Sequence, residues 1–169
     1  MATGTGKTIT SLNCVLEEYN KNGSYKFIVL VPTISLSHQW EDEIVNSFNF
    51  TEIISCSSAN EWESSLKNLG RALRYNIDSN FCILTTYSTF RSAKFQNIFN
   101  QYFSNILQQI TLIADEAHTF GSPTLSKLMP EKILKQIGLS ATPNRQFDEL
   151  GIASLSTYFN SSAPNYTFS

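Results

Sequence analysis

The amino-acid sequence predicts an α/β fold in which a doubly wound, mainly parallel sheet is flanked by helices. Three short apolar runs, at residues 26–32, 81–86 and 110–116, have the continuous hydrophobicity that is typical of strands buried on both faces. Segments with apolar residues at helical spacing lie between them. Strands that alternate with helices favour right-handed crossovers and hence a parallel sheet.

The individual elements follow from the same patterns, taken in chain order. Helical spacing begins directly after the opening MATGTGKT and stops at the turn signal of residues 21–23. The run at 26–32 is a strand that ends at Pro32. The later predicted elements are a helix carrying Leu36, Trp40, Ile44 and Phe48, a weaker strand at 51–57, a helix at 60–76 capped by Asn60, a strand at 81–86, a helix at 88–103, a strand at 110–116, a helical piece near 124–135, a strand at 136–140 and a helix near 147–159.

Length and composition bound the classes of protein to consider. A chain of 169 residues with 41% apolar residues can bury one ordinary core, so we expect a single domain over 1–169. The net charge of −2 argues against nucleic-acid binding through a large basic surface, but it does not exclude contacts from backbone amides. Three dispersed cysteines indicate neither disulfides nor a zinc site. No apolar run is long enough to span a bilayer, so we expect no membrane partner and a cytoplasmic location.

The opening loop is the first candidate site. Small residues allow successive backbone N–H groups to surround a phosphate chain, while a lysine neutralises phosphate oxygens and a threonine hydroxyl ligates Mg²⁺. Met1 stands where the full motif has its first glycine, so a glycine-containing start of a helix is the alternative interpretation. The candidate nucleotide-binding residues are Thr3, Gly4, Thr5, Gly6, Lys7 and Thr8.

Two adjacent carboxylates, Asp115 and Glu116, follow the apolar strand of LIADEAH. Consecutive residues that leave a strand point in different directions, so one acid can hold a metal ion while its neighbour faces a water molecule. Asp115 suits the metal and Glu116 suits the general base. The alternative is an ordinary strand that ends in solvated acids.

A third element, IGLSATP at 137–143, carries the hydroxyls of Ser140 and Thr142 to the same edge of the sheet. In isolation it is also consistent with a simple transition from strand to turn. The phosphate loop, the acidic pair and this segment each stand where α/β sheets place ligands, at the carboxyl ends of strands. Their fixed order makes a chance arrangement a poor explanation.

These motifs together resemble the first RecA-like lobe of superfamily 2 DEAD/DEAH-box helicases and translocases. The ending GLSATPNRQFDELG is similar to the XPB-like and restriction-translocase type, which favours DNA over RNA as the nucleic acid. The matching segments are MATGTGKT for motif I, VPTISLSHQW for motif Ia, LTTYSTF for the following nucleic-acid-binding element, DEAH for motif II and GLSATPNR for motif III.

The resemblance implies ATP and Mg²⁺ as cofactors and gives roles to individual residues. It implies that Lys7 and Thr8 contact phosphate and Mg²⁺, that Asp115 binds the metal, and that Glu116 polarises water. Coupling of nucleotide state to movement is implied for His118, Ser140 and Thr142, and nucleic-acid contact for Thr33, Gln39 and Thr86. Plain capping of helices is the alternative for the hydroxyls at strand-to-helix junctions.

The resemblance also implies parts that this sequence does not contain. The family has a strand before the P-loop and a second RecA-like lobe with arginine fingers, so we expect a sheet without that strand, a chain truncated at both ends, and little ATP hydrolysis by the chain alone. The leading interpretation is the ATP-binding lobe of a DNA translocase or helicase. A non-catalytic nucleotide- or nucleic-acid-binding module that acts through a partner, and a different P-loop NTPase, are the alternatives.

Overall fold

The computed structural model describes residues 5–77, 80–117, 127–128 and 130–139. Most of the predicted elements are present in these residues, and the predicted helix near 147–159 lies outside them. The elements are α1 (Thr5–Asn22), β1 (Lys26–Val31), α2 (Ile34–Phe48), β2 (Ile53–Cys56), α3 (Glu63–Arg74), β3 (Phe81–Thr86), α4 (Tyr87–Phe90), α5 (Ala93–Tyr102), a 3₁₀ turn (Leu107–Gln109), β4 (Thr111–Ala114) and β5 (Lys135–Gly138).

The five strands form one parallel sheet in the order β2-β3-β1-β4-β5. Its central strand is β1, where Phe27 lies opposite both Cys82 of β3 and Thr111 of β4. The doubly wound parallel sheet predicted from the sequence is therefore confirmed. Among the described residues the first element is a helix, and β5 is an end strand of the sheet.

Both faces of the sheet are covered, as the continuous apolar strands predict. Successive side chains of a strand point to opposite faces. Phe27 and Val29 of β1 accordingly pack in a core with side chains of α1 and α2. Ile28 and Leu30 pack in a second core with side chains of α3, α4 and α5. Alternation along one strand thus explains why β1 is buried along nearly its whole length.

The helix predicted at 88–103 is divided into α4 and α5. Ser92 caps the second piece, because its Oγ accepts a hydrogen bond from the backbone N–H of Phe95 at 3.2 Å. Serine competes for backbone hydrogen bonds in this way and favours helix starts over interiors. The sequence pattern shows helical spacing on both sides of Ser92 and therefore does not reveal the break.

Two further predictions about helices are wrong. Asn60 does not cap α3, which begins at Glu63 without a side-chain cap; its Nδ2 instead donates to the Ser55 carbonyl at 3.4 Å. The described part of the helical piece predicted near 124–135 is not helical, because residues 131–132 form a turn and β5 begins at Lys135. Pro130, which precedes this turn, has no N–H group and accepts from the Ile133 N–H at 3.3 Å.

None of the helices in the described ranges combines the length and the apolar character that crossing a bilayer requires.

Candidate functional site

Three strands deliver polar residues to one edge of the sheet. Thr86 is the last residue of β3, and Thr33 and Asp115 follow β1 and β4 closely. The strands are in register here, since Val31 lies opposite Thr86 and the backbone N–H of Asp115 donates to the Leu30 carbonyl at 2.8 Å. The carboxyl ends of parallel strands are where α/β sheets bind ligands.

The start of α1 lies toward the same edge. Near its other end, Glu18 accepts a hydrogen bond and forms an ion pair with Lys135, the first residue of β5, at the amino edge of the sheet. From Glu18 back to Thr8 the helix rises about 15 Å, whereas a strand as short as β5 advances about 10 to 13 Å. Leu12 packs between these points in the core shared with Leu139. If α1 runs antiparallel to the strands, these lengths place Thr8 near the level where β5 ends.

The first turns of α1 have the properties of an anion site. Helix N-termini present backbone N–H groups without intrahelical partners, together with the positive end of the helix dipole. Gly6 is exposed, Lys7 is partly exposed and Thr8 is buried. A β-carbon at Gly6 would meet no atom within 4 Å, so the space around it is open.

Asp115 and Glu116, which we call the acidic turn, are held by several hydrogen bonds. The indole Nε1–H of Trp40 donates to Oδ2 of Asp115 at 2.8 Å, and the Glu116 N–H donates to Oδ1 at 2.9 Å. The hydroxyl of Tyr87 donates to the Asp115 carbonyl at 2.7 Å. Each carboxylate oxygen has two lone pairs, so acceptor capacity for a cation is left after these bonds.

Glu116 adopts a left-handed backbone conformation with φ of 50°. This conformation is uncommon for a residue other than glycine, asparagine or aspartate, and it changes the direction of the chain directly after Asp115. That the side chains of Asp115 and Glu116 point in different directions stays a prediction.

Tyr87 remains a hydrogen-bond donor because its environment opposes ionisation. Burial raises the pKa of the Tyr87 hydroxyl well above its ordinary value, and the charges of Asp115 and Glu116 raise it further. The O–H group is therefore present to donate to the acidic turn across the physiological pH range.

Trp40 is a site residue that sequence reasoning missed. We expected it to pack a helix on the sheet, and its ring is indeed buried in the core with α1. Its indole nitrogen nevertheless reaches Asp115, which is 75 residues away in sequence. The available signal is that a buried tryptophan N–H requires a partner, but the partner's identity depends on tertiary structure.

The residues predicted to contact nucleic acid have different environments. Thr33 is exposed and caps α2, since its Oγ1 accepts from the Leu36 N–H at 3.2 Å, and Gln39 is exposed on the same helix. Thr86 is buried and caps α4, with Oγ1 accepting from the Thr89 N–H at 3.3 Å. Both hydroxyls therefore act as helix caps, and their contact with nucleic acid stays a prediction.

A polar groove of about 370 Å³ lies beside these segments, where β2 and β3 end. An ion pair between Lys94 and Glu63, with the two atoms 2.8 Å apart, joins α5 to α3 at the groove. Its lining is rich in hydroxyl groups and comprises Ser57, Ser58, Asn60, Trp62, Glu63, Ser88, Thr89, Ser92 and Lys94.

The described residues fit a magnesium ion that is bound together with phosphates. They contain no group of three or more His, Cys, Asp or Glu side chains that could form an all-protein metal cage. Mg²⁺ is usually held by one or two carboxylates with the remaining positions filled by phosphate and water oxygens, which is the donor set that Asp115 and Thr8 would complete. The other predicted site residues, Thr3, Gly4, His118, Ser140 and Thr142, lie outside the described residues, and their roles stay predictions.

Comparisons with known proteins concern the family and the fold of the chain. Residues 1–145 match the family described as "Type III restriction enzyme, res subunit". Among solved structures, a nuclease-deletion mutant of the Type ISP restriction-modification enzyme LlaGI in complex with a DNA substrate mimic matches with a TM-score of 0.62 and 23% identity. The match covers 86% of this chain and 15% of that chain. No match was found among curated proteins.

The likeness to the solved structure concerns the fold, which is the RecA-like α/β fold that the motifs imply, and the family match agrees with the restriction-translocase type. Members of such families generally use ATP and Mg²⁺. The chain therefore belongs to the family of Type III restriction enzyme res subunits, and it carries an ATP-dependent helicase-type domain.

Proposed function

We propose that this chain, over residues 1–169, is the ATP-binding lobe of an ATP-dependent DNA helicase or translocase, in which ATP hydrolysis at a P-loop and DEAH site drives movement along nucleic acid. One observation carries the proposal: the contact of Glu18 with Lys135 fixes the far end of α1 at the amino edge of the sheet, which supports a start of α1, with Lys7 and Thr8, toward the carboxyl edge where the acidic turn lies. Full activity requires a second RecA-like lobe, whose arginine would stabilise the transition state.

The nucleotide would be held by the loop of residues 3–8, with backbone N–H groups of the first helical turn donating to phosphate oxygens. Lys7 would neutralise phosphate charge, and Thr8 and Asp115 would hold Mg²⁺, which supplies charge neutralisation when bound. The hydrogen bonds from the Trp40 indole and the Glu116 N–H already fix the Asp115 carboxylate, and this preorganisation supports the role.

Glu116 would orient the attacking water and take its proton. The left-handed backbone at this residue changes the direction of the chain directly after Asp115, which supports a division in which one acid serves the metal and the other serves the water. His118, Ser140 and Thr142 would couple the nucleotide state to movement of the lobes.

Nucleic acid, with DNA favoured over RNA, would bind along the segments that begin at Thr33 and Thr86, with Gln39 as a further contact. The exposed side chains of Thr33 and Gln39 support this surface, and the N–H groups at the starts of α2 and α4 suit phosphate oxygens. Backbone contacts of this kind carry no base sequence, and they suit a motor that moves along DNA of any sequence.

The decisive experiment measures ATP turnover, with and without DNA, of the protein joined to a second RecA-like lobe. Glu116→Gln should lower turnover about 10² to 10⁴-fold, the range for loss of a general base, while leaving ATP binding intact. Glu17→Gln is the matched control, because Glu17 is exposed in the interior of α1 and the change removes the same charge.

Unchanged turnover in Glu116→Gln would remove Glu116 from the role of base. A different outcome is a wild-type two-lobe protein that binds ATP without turnover, with the binding lost in Lys7→Ala. This result would instead favour a non-catalytic nucleotide-binding module.

A further inference from the structure

The acidic turn is held by two donors to which the proposed chemistry assigns no contact with the nucleotide. Trp40 donates to the carboxylate of Asp115, and Tyr87 donates to the carbonyl of the same residue. The donors come from different elements, α2 and α4. Asp115 is thereby constrained at its side chain and at its main chain.

Both donors are themselves held in place. Trp40 is 2% exposed and Tyr87 is 5% exposed, and they pack in the two cores on opposite faces of the sheet. A buried N–H or O–H group that loses its acceptor pays the desolvation penalty, so rotation of Asp115 away from Trp40 is unfavourable. A hydrogen bond to a carboxylate is also stronger than one between neutral groups.

The sequence positions of the donors are informative. Trp40 is the last residue of VPTISLSHQW, and Tyr87 follows Thr86 in LTTYSTF, the two segments that are expected to contact nucleic acid. Each segment has exposed groups, Gln39 in the first and Ser88 in the second, directly next to its buried donor. A ligand on these exposed groups would therefore contact the immediate chain neighbours of the two donors that hold Asp115.

We propose that Trp40 and Tyr87 are positioning residues that hold the acidic turn in its cation-binding orientation, and that nucleic acid on the two segments alters the affinity for Mg²⁺–nucleotide through them. The inference rests on the proposed function, because it requires that Asp115 binds Mg²⁺ with the nucleotide. It goes beyond that function in assigning the link between the two ligands to two named hydrogen bonds.

A direct test observes the Trp40 hydrogen bond by NMR. The chain has two tryptophans, and the Trp62→Phe variant assigns their indole ¹H–¹⁵N signals. Titration of the full chain with Mg²⁺ and a non-hydrolysable ATP analogue should shift the Trp40 signal more than that of Trp62, which packs against Phe95 with ring centroids 5.6 Å apart. A Trp40 signal that stays still while the analogue binds would overturn the inference.

A second test removes each donor. Trp40→Phe and Tyr87→Phe should raise the Mg²⁺ concentration needed for half-maximal analogue binding about 10 to 100-fold, the usual effect of losing a hydrogen-bond partner of a metal ligand. Tyr87→Phe keeps the ring and loses only the hydroxyl, so it remains informative if Trp40→Phe does not fold.

Matched controls separate positioning from general loss of stability. Trp62→Phe alters another buried indole, and Tyr25→Phe removes a hydroxyl that accepts from the Glu52 N–H at 3.2 Å, away from the acidic turn. Both controls should lower the unfolding temperature without moving the Mg²⁺ requirement.

Nucleic acid supplies the final measurement. A single-stranded oligothymidylate should change the affinity of the wild-type chain for the Mg²⁺–analogue complex by about 5-fold or more, a typical coupling between sites, and this factor should fall toward one in both donor variants. Normal binding in the wild type with unchanged values in both variants would overturn this inference alone. A wild-type chain that does not bind Mg²⁺–nucleotide would overturn the proposed function and this inference with it.

Discussion

The left-handed backbone at Glu116 leads to a sharp prediction about stability. The other left-handed residues among those described are Asn49, Asn76 and Gly23, which are residue types that tolerate this conformation. Glu116 is the exception, and it is the proposed base. We therefore expect the acidic turn to store backbone strain that a residue without a β-carbon would release.

The perturbation is a pair of substitutions, Glu116→Gly and Glu116→Ala. Both remove the carboxylate, so its loss cancels in the difference between their free energies of unfolding. In the left-handed region a β-carbon destabilises the folded state by about 1 to 2 kcal/mol, whereas glycine lowers the free energy of unfolding by about 0.4 to 1 kcal/mol through the greater freedom of its unfolded chain. Glycine should then be more stable than alanine at this position by about 0.5 to 1 kcal/mol.

Glu17 provides the reference pair, because it is the same residue type, exposed, and in the interior of α1. At position 17 the alanine variant should be more stable than the glycine variant by about 1 kcal/mol. The sign of the glycine–alanine difference should therefore reverse between the two positions. Urea unfolding followed by circular dichroism measures all four variants, and a difference of 1 kcal/mol corresponds to about 2 to 4 °C in Tm for a protein of this size.

The reasoning is refuted if alanine is favoured at position 116 as strongly as at position 17. If the sign reverses, Glu116→Gly should still lose turnover in the two-lobe protein, because glycine releases the backbone strain but lacks the carboxylate that the chemistry needs.

Two further predictions concern the packing of helices. In Gly70→Ala the added β-carbon would lie 2.4 Å from Cβ of Tyr102, so α3 and α5 must separate. The overpacking should cost about 1 to 3 kcal/mol, which outweighs the gain in helix propensity of about 1 kcal/mol. The substitution should therefore lower the Tm. Gly6→Ala, with open space around the site, is the control, and equal Tm changes in both would contradict the argument. The hydrogen bond from Lys135 lowers the pKa of Glu18 in the folded state. The contribution of this hydrogen bond to folding stability is therefore present above the unfolded pKa of about 4.3, and it is lost as the pH falls through the folded pKa. The Tm difference between wild type and Glu18→Gln, modest for an exposed pair, should therefore shrink in acid, and a difference that does not change with pH would count against the ion pair.

Elements with strong local patterns were predictable from the sequence. The strands at 26–32 and 81–86 are continuous apolar runs, and burial on both faces is the only arrangement that satisfies such runs in a sheet. The break at Ser92 and the missing cap at Asn60 were not predictable, because a serine or asparagine finds its backbone partner among several local alternatives of similar energy.

By itself, the sequence determined the α/β class, the parallel sheet and the placement of Asp115 and Glu116 at the end of a strand, since these depend on hydrophobic periodicity and on chain order. Only the tertiary structure decided that β1 stands between β3 and β4, and that Trp40 and Tyr87 close on the acidic turn. The physical reason is that a hydrogen bond between residues 75 positions apart leaves no periodic pattern in the chain. It forms when packing of α2 on the sheet brings the buried indole N–H of Trp40 to the carboxylate of Asp115.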